Sequence, residues 1–311
     1  FLNPFFLTSR NISNLLRQIA PTLLTGIGQS YVLITGNIDL SIGSVVGMSC
    51  MISATLMTKG VSPLSAVLIT YVAALLVGLL NGQLIAKAKL PAFIATLGTM
   101  TIARGIAQIV NGNYNTDSIG EAASGFMNFF YYGKTFGLFN TIWITMFIWF
   151  VFNFILSKTR TGRHLYAVGS NIHASHLSGV NISATITKAY LVSAFCSATV
   201  GLITTAISGM GTMDAGNGYE LYAVAASVIG GVSTLGGQGI LLGTVIGAAI
   251  WGVLQNGLQF AGAPVAIRNI VIGVIVIITV LLDIVVRFNK KAGRRRTGLD
   301  GNQISVLKHK A

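Results

Sequence analysis

Acidic side chains are nearly missing from this sequence: seven aspartates and glutamates stand against twenty lysines and arginines, and charged residues of both signs amount to only 9%. A water-soluble domain is about a quarter charged, so the chain lacks the polar surface needed to stand in water. Cysteine is almost absent too. Cys50 and Cys196 both lie in apolar runs, which excludes a disulfide framework and a thiolate metal site and leaves them as small core residues. The histidines His164, His173, His176 and His309 have no carboxylate or cysteine placed to complete a metal site. No Gly-x-x-x-x-Gly-Lys-Ser/Thr occurs, and GGVSTLGGQG (230–239) lacks its lysine. That run reads as a sharp connection between two apolar stretches. No catalytic constellation emerges.

What is present is apolar: 53% hydrophobic residues and a mean hydropathy of +0.74. The matching solvent is a bilayer core, where every backbone polar group must be paired within the chain. The 37 glycines recur inside the apolar runs, where small residues let membrane helices approach closely. Apolar stretches near the spanning length of about 20 residues fall at 15–35, 42–57, 64–86, 92–110, 141–156, 184–207, 219–235, 240–260 and 267–286. The fold expected is therefore all-α and polytopic, with about nine transmembrane helices. The stretches at 42–57, 141–156 and 219–235 are short, which fits broken, tilted or re-entrant segments.

Basic residues give the orientation, because lysine and arginine collect on the cytoplasmic side. With the C-terminus inside, that side holds Lys87, Lys89, Lys158, Arg160, Arg163, Lys188 and the cluster from Arg287 to Lys310. The outside keeps Arg10, Arg17, Lys59, Lys134 and Arg268, while Arg104 falls within a span. The domain reading is a membrane domain over 1–286, a cytoplasmic loop at 158–182 within it, and a basic cytoplasmic tail at 287–311. The arginines Arg294–Arg296 read as a membrane-flanking run, not a nucleic-acid site. An odd number of spans places Phe1 outside, so one further helix upstream is expected, giving about ten spans in the native chain. The outer loop 111–140 is polar at first and then aromatic, which suits either a docking partner or an interfacial belt.

Two spans echo one another. Ala73, Ala74, Leu79, Asn81, Gly82, Ala86 and Ala88 recur, without a gap, as Ala248, Ala249, Leu254, Asn256, Gly257, Ala261 and Ala263. On the topology above the two run in opposite directions, as expected of an inverted repeat. Polar groups in the apolar background are functional candidates by default. Asp39 and Glu220 are open to a functional role or to capping of a following helix. Asn81 and Asn256 either face a pathway or join helices by hydrogen bonds. Asp283 is placed to pair with Arg287, and Arg104 has a stem long enough to snorkel to the interface.

GNIDLSIGS (36–44), LPAFIATLGTMTIARG (90–105), TRTGRHLYAVGSNIHASHLSGVNI (159–182), GYELYAVAASVIGGVSTLGGQG (218–239) and LQNGL (254–258) occur in this order. Together they resemble the permease subunits of bacterial ATP-binding-cassette importers for monosaccharides, the ribose, galactose, xylose and arabinose group. The resemblance implies a pair of permeases, identical or closely related, in the bacterial inner membrane. Two cytoplasmic ATPase subunits would lie below and a periplasmic sugar-binding protein above. ATP and Mg2+ would be held by those ATPases, with no cofactor on this chain. It also implies a coupling helix at 170–179 that seats in the ATPase and retains Gly169, Asn171, Ala174, Ser178 and Gly179. Asp39, Asn81, Glu220 and Asn256 are then candidates for the translocation pathway.

The chain departs from the family pattern at Asn37, where a second glycine is usual, and at Tyr222, where an aspartate is usual. Ser170, His173 and His176 are unusual around the coupling helix. Three alternatives stay open from residues alone. One is an ion-coupled secondary transporter using Asp39, Glu220 or Asp283. Another is a related permease for a nucleoside, riboflavin or a signalling furanose, and the remotest is a membrane-embedded enzyme.

Overall fold

The computed structural model describes residues 8–285. The basic tail 287–311 and the proposed partner of Asp283, Arg287, lie outside the described residues. The first four helices are α1 (Ser9–Ile34), α2 (Ile42–Thr58), α3 (Pro63–Ala86) and α4 (Ala92–Ile109). A short α5 (Ser124–Met127) and a hairpin of β1 (Lys134–Thr135) and β2 (Leu138–Phe139) precede α6 (Asn140–Lys158). Then come α7 (Arg160–Ser170), α8 (Ile172–Leu177), α9 (Ile182–Ser208), α10 (Tyr219–Ile229) and α11 (Leu241–Phe260), and α12 (Val265–Val285). Among the described residues, six helices are long and apolar enough to cross a membrane, and α2 and α10 are shorter apolar helices. This is the all-α, polytopic architecture expected.

Local chemistry sets the boundaries. Thr8, Ser62, Asn171 and Asn181 each accept a backbone N–H from the first turn of the helix they precede, satisfying donors the helix itself leaves unpaired. Gly209 closes α9 in the left-handed conformation. The seventh expected span, 219–235, stops early: α10 ends at Ile229 because the glycine-rich run beyond it leaves the helix. The first span begins earlier than expected, at Ser9, and carries Pro21 within it.

The inverted repeat extends well past the two spans in which its echo is visible. At the same sequence offset that relates Asn81 to Asn256, α1–α4 correspond to α9–α12. Their packing corresponds as well: α3 lies on α9 as α11 lies on α1, α2 on α9 as α10 on α1, and α2 on α3 as α10 on α11. A small apolar cluster joins α2, α3 and α4, and its counterpart around Ala225, Trp251 and Ile272 joins α10, α11 and α12. The central helices α1 and α9 run antiparallel. The Tyr190 hydroxyl near the start of α9 donates to Ile38 O just beyond the end of α1 (2.9 Å). Midway, Gly28 lies so close to α9 that a Cβ there would be 2.8 Å from Ser193 Cα.

The helical connections gather at two ends. One carries α7 and α8; the other carries the hairpin. At the hairpin end the guanidinium of Arg17 lies 3.8 Å from the Phe139 ring centroid and 4.7 Å from that of Tyr131. The aromatic half of the 111–140 loop thus covers a cation on the side where basic residues are few.

Candidate functional site

At the α8 end, Asn171 separates two helices. Its extended backbone breaks α7 from α8, its Oδ1 accepts Ala174 N–H (2.9 Å), and Ser175 Oγ donates to its carbonyl (2.8 Å). Ser178 Oγ donates to Ala174 O (2.9 Å), and Gly179, at φ +77°, turns the chain so that Val180 N–H reaches Ser175 O (3.0 Å). Asn181 then caps α9 through Ala184 N–H. The result is a short helix fixed at both ends. It holds Leu177 at 88% exposure and Ile172 at 43%, two apolar side chains in a polar setting. The motif carried Asn171, Ala174, Ser178 and Gly179; Leu177 was not singled out, although an apolar residue beside two serines and a glycine was a visible signal.

Gly169, the fifth coupling candidate, faces the other way. It lies on α7 where a Cβ would collide with Ile34 O and stand 2.6 Å from Gly237 N. Leu165 and Val168 bury the same face of α7, and the Tyr166 hydroxyl donates to Gly239 O (2.6 Å). Burial pushes the Tyr166 phenol above its usual range, which keeps it protonated as a donor. A cavity of about 1060 Å3 opens between α8 and the α3–α4 connection, with Lys89, Pro91, Asn171, His173 and Ile182 in its lining.

The α1–α2 junction lies against this assembly. Asp39 is buried. Its Oδ1 accepts from Ser41 N (2.9 Å) and Ser41 Oγ (2.6 Å), and its Oδ2 accepts from Ser193 Oγ on α9 (2.7 Å). Asn81 Nδ2 donates to Ser41 Oγ (3.0 Å), and Thr99 Oγ1 on α4 donates to Asn81 Oδ1 (2.7 Å). Asp39 and Asn81 therefore belong to one hydrogen-bonded chain that ties α2, α3, α4 and α9 to the junction. The Asn37 side chain bonds only locally, from Nδ2 to Thr35 Oγ1 (2.9 Å) and Thr35 O (3.4 Å).

Asn256, the echo of Asn81, is also buried. It accepts from Asn11 Nδ2 (3.0 Å) and donates to Gln18 Oε1 (3.3 Å). It lines a cleft of about 320 Å3 at the hairpin end, with Asn11, Asn14, Gln18, Gln259 and Phe260.

Arg104 corrects an expectation. It does not snorkel outward; its Nη1 donates to Met213 O (2.7 Å) and Ala215 O (2.9 Å), pinning the α9–α10 connection. Gly43 and Gly47 on α2 make room for this: Glu220 Oε2 lies over Gly43, and Arg104 Nη1 lies 2.7 Å from where a Cβ of Gly47 would stand. Glu220 is in the first turn of α10 and is half-buried. Tyr222, in place of the usual acid, packs its ring 5.5 Å from Tyr219 and 5.4 Å from Trp251.

Two inverted halves, with broken connections at both ends and a capped, exposed helix at one of them, define a multi-pass membrane protein of two-sided build. The chain belongs to the family described as branched-chain amino acid transport system / permease component, which matches residues 11–280. The ribose import permease protein RbsC of Bacillus subtilis (strain 168) is 38% identical over 284 residues, 91% of this chain and 87% of that protein. The RbsC protein of Escherichia coli (strain K12) is 34% identical, over 91% of this chain and 88% of its own length. The galactose/methyl galactoside import permease protein MglC of Escherichia coli (strain K12) is 33% identical, over 91% and 89%. No solved structure matches. The group expected from the motifs is thus the one found, and the chain is a permease subunit, not an enzyme.

Proposed function

We propose that this chain is the translocating subunit of an ATP-driven importer for a neutral monosaccharide. A cytoplasmic ATPase would dock on α8, a periplasmic binding protein would deliver sugar at the hairpin end, and a second permease copy or a paralogue would complete the path. ATP and Mg2+ would stay on the ATPase. The observation that carries this reading is α8, a helix capped at both ends that exposes Ile172 and Leu177. A secondary transporter working alone has no use for such a knob. The α8 end is then cytoplasmic, in line with the lysine and arginine bias.

The relatives that transport ribose and galactose support an aldose as the solute. The amide-lined cleft around Asn256 supports a neutral one, because amides donate to and accept from hydroxyls without adding charge. On this reading Asn256 and half-buried Glu220 remain pathway candidates. The hydrogen bonds of Asp39 and Asn81 favour a role as fasteners of the α1–α2 junction. Contacts with sugar need to be weak and several, since a tight site would trap the solute.

Transport would follow alternating access, with movement of α8 tilting the repeat halves against each other. Uptake of labelled ribose, allose and galactose into proteoliposomes tests it, with and without the cognate ATPase and binding protein. Uptake that requires both partners and ATP is expected. Uptake driven by an ion gradient in the chain alone would refute it.

A further inference from the structure

The glycine-rich run GGVSTLGGQG between α10 and α11 is hydrogen-bonded to three other helices at the α8 end, α1, α7 and α12. Gly237 N–H donates to Ile34 O at the end of α1 (2.8 Å). Gly239 O accepts the Tyr166 hydroxyl of α7. Thr234 donates through N–H (3.2 Å) and Oγ1 (2.9 Å) to Asp283 Oδ2 on α12. Four glycines let these strands of backbone touch: a Cβ at Gly236 would lie 2.9 Å from both Gly169 O and Gly36 Cα. Gly36, Gly236 and Gly237 all have positive φ, a conformation that favours glycine.

The arrangement is asymmetric with respect to the repeat. The α1–α2 junction belongs to the first half and the α10–α11 connection to the second, and the last turn of α7 touches both. α7 is followed at once by α8. We propose that this glycine joint is the transmission point of the transporter: Gly169 and Tyr166 are positioning residues that make one displacement of α8 reach both halves together, and Asp283 carries it on to α12. Backbone against backbone suits the task, because close-packed atoms pass a displacement on without the slack of long side chains. The inference rests on the proposed coupling role of α8.

The test uses the whole assembly (this permease, its ATPase and its binding protein) in proteoliposomes, and reads sugar taken up per ATP hydrolysed. Tyr166→Phe and Asp283→Asn are conservative, and Gly169→Ala is the more severe variant. For the two conservative variants we expect unchanged ATPase co-purification and a melting temperature within a few degrees of wild type, with uptake per ATP lowered about fivefold by Tyr166→Phe, the weight of one hydrogen bond, and less by Asp283→Asn, whose amide oxygen still accepts from Thr234 in place of a carboxylate. Gly169→Ala lowers it further. Uptake per ATP equal to wild type in both conservative variants would overturn the inference. So would loss of ATPase co-purification, since these residues would then hold α8 for docking instead of passing on its motion. A wild-type assembly without ATP-driven uptake would contradict the proposed function first, and this inference with it.

Discussion

Asp39 accepts three hydrogen bonds inside a protein with few acids to spare, and its value lies in what it joins. Replacing it by alanine strands the Ser193 hydroxyl and the Ser41 donors in a buried site. Leaving such groups unpaired costs about 1–3 kcal/mol, so Asp39→Ala is expected to lower the melting temperature in detergent, and Ser193→Ala less so. Arg104 is the corresponding fastener at the hairpin end. Arg104→Met removes both carbonyl contacts, and hydrogen exchange over 211–217 should rise at least tenfold while α9 itself stays protected. Neither role was readable in the sequence. The partners of Arg104 are backbone carbonyls more than a hundred positions away, and a carbonyl leaves no mark on residue identity. That Asp39 is an oddity could be read from its apolar surroundings, but not that Ser193 and Asn81 close its network.

Helices α7 and α8 show what an element adds to its residues. Asn171, Gly179 and Asn181 are ordinary cap and turn residues; the motif singled out the first two, and Asn181 emerged as the cap of α9 only in the structure. Only the fold shows that α8 points Leu177 away from the protein while α7 presses Gly169 into it. The two helices therefore divide docking from transmission. Burying a leucine contributes about 1.5–3 kcal/mol; Leu177→Ser should weaken ATPase association roughly tenfold or more in co-purification or surface-binding measurements, with the melting temperature unchanged. A bulky residue at Gly179 is expected to act on the same element by another route. Its φ of +77° is poorly tolerated by any side chain, so Gly179→Leu should detach α8 from its fixed orientation and uncouple ATP hydrolysis from uptake.

For the whole molecule, the repeat is the organising fact. Its trace was legible only between α3 and α11, where small residues and an asparagine recur because both helices pack closely on the central pair. Between α1 and α9 the sequences have diverged, since one must accommodate a cap at Thr8 and a proline while the other starts from Asn181, and only packing reveals the equivalence. The helical, multi-pass class followed directly from hydropathy, because a bilayer leaves few other solutions, whereas about nine spans were expected and six helices of full spanning length are found among the described residues. The early end of α10 and the hairpin at 134–139 did not, being set by glycine geometry and by contacts distant in the chain.

Everything in the transport cycle depends on α8 facing the cytoplasm and being covered by a separate ATPase. A single cysteine at Ser178, exposed at the end of α8, reports on both, since Cys50 and Cys196 are buried and can be replaced as a control. An impermeant maleimide should label Ser178→Cys in inside-out vesicles stripped of ATPase and spare it once the ATPase is added back. Labelling in right-side-out vesicles, or labelling indifferent to the ATPase, would contradict the coupling role of this helix.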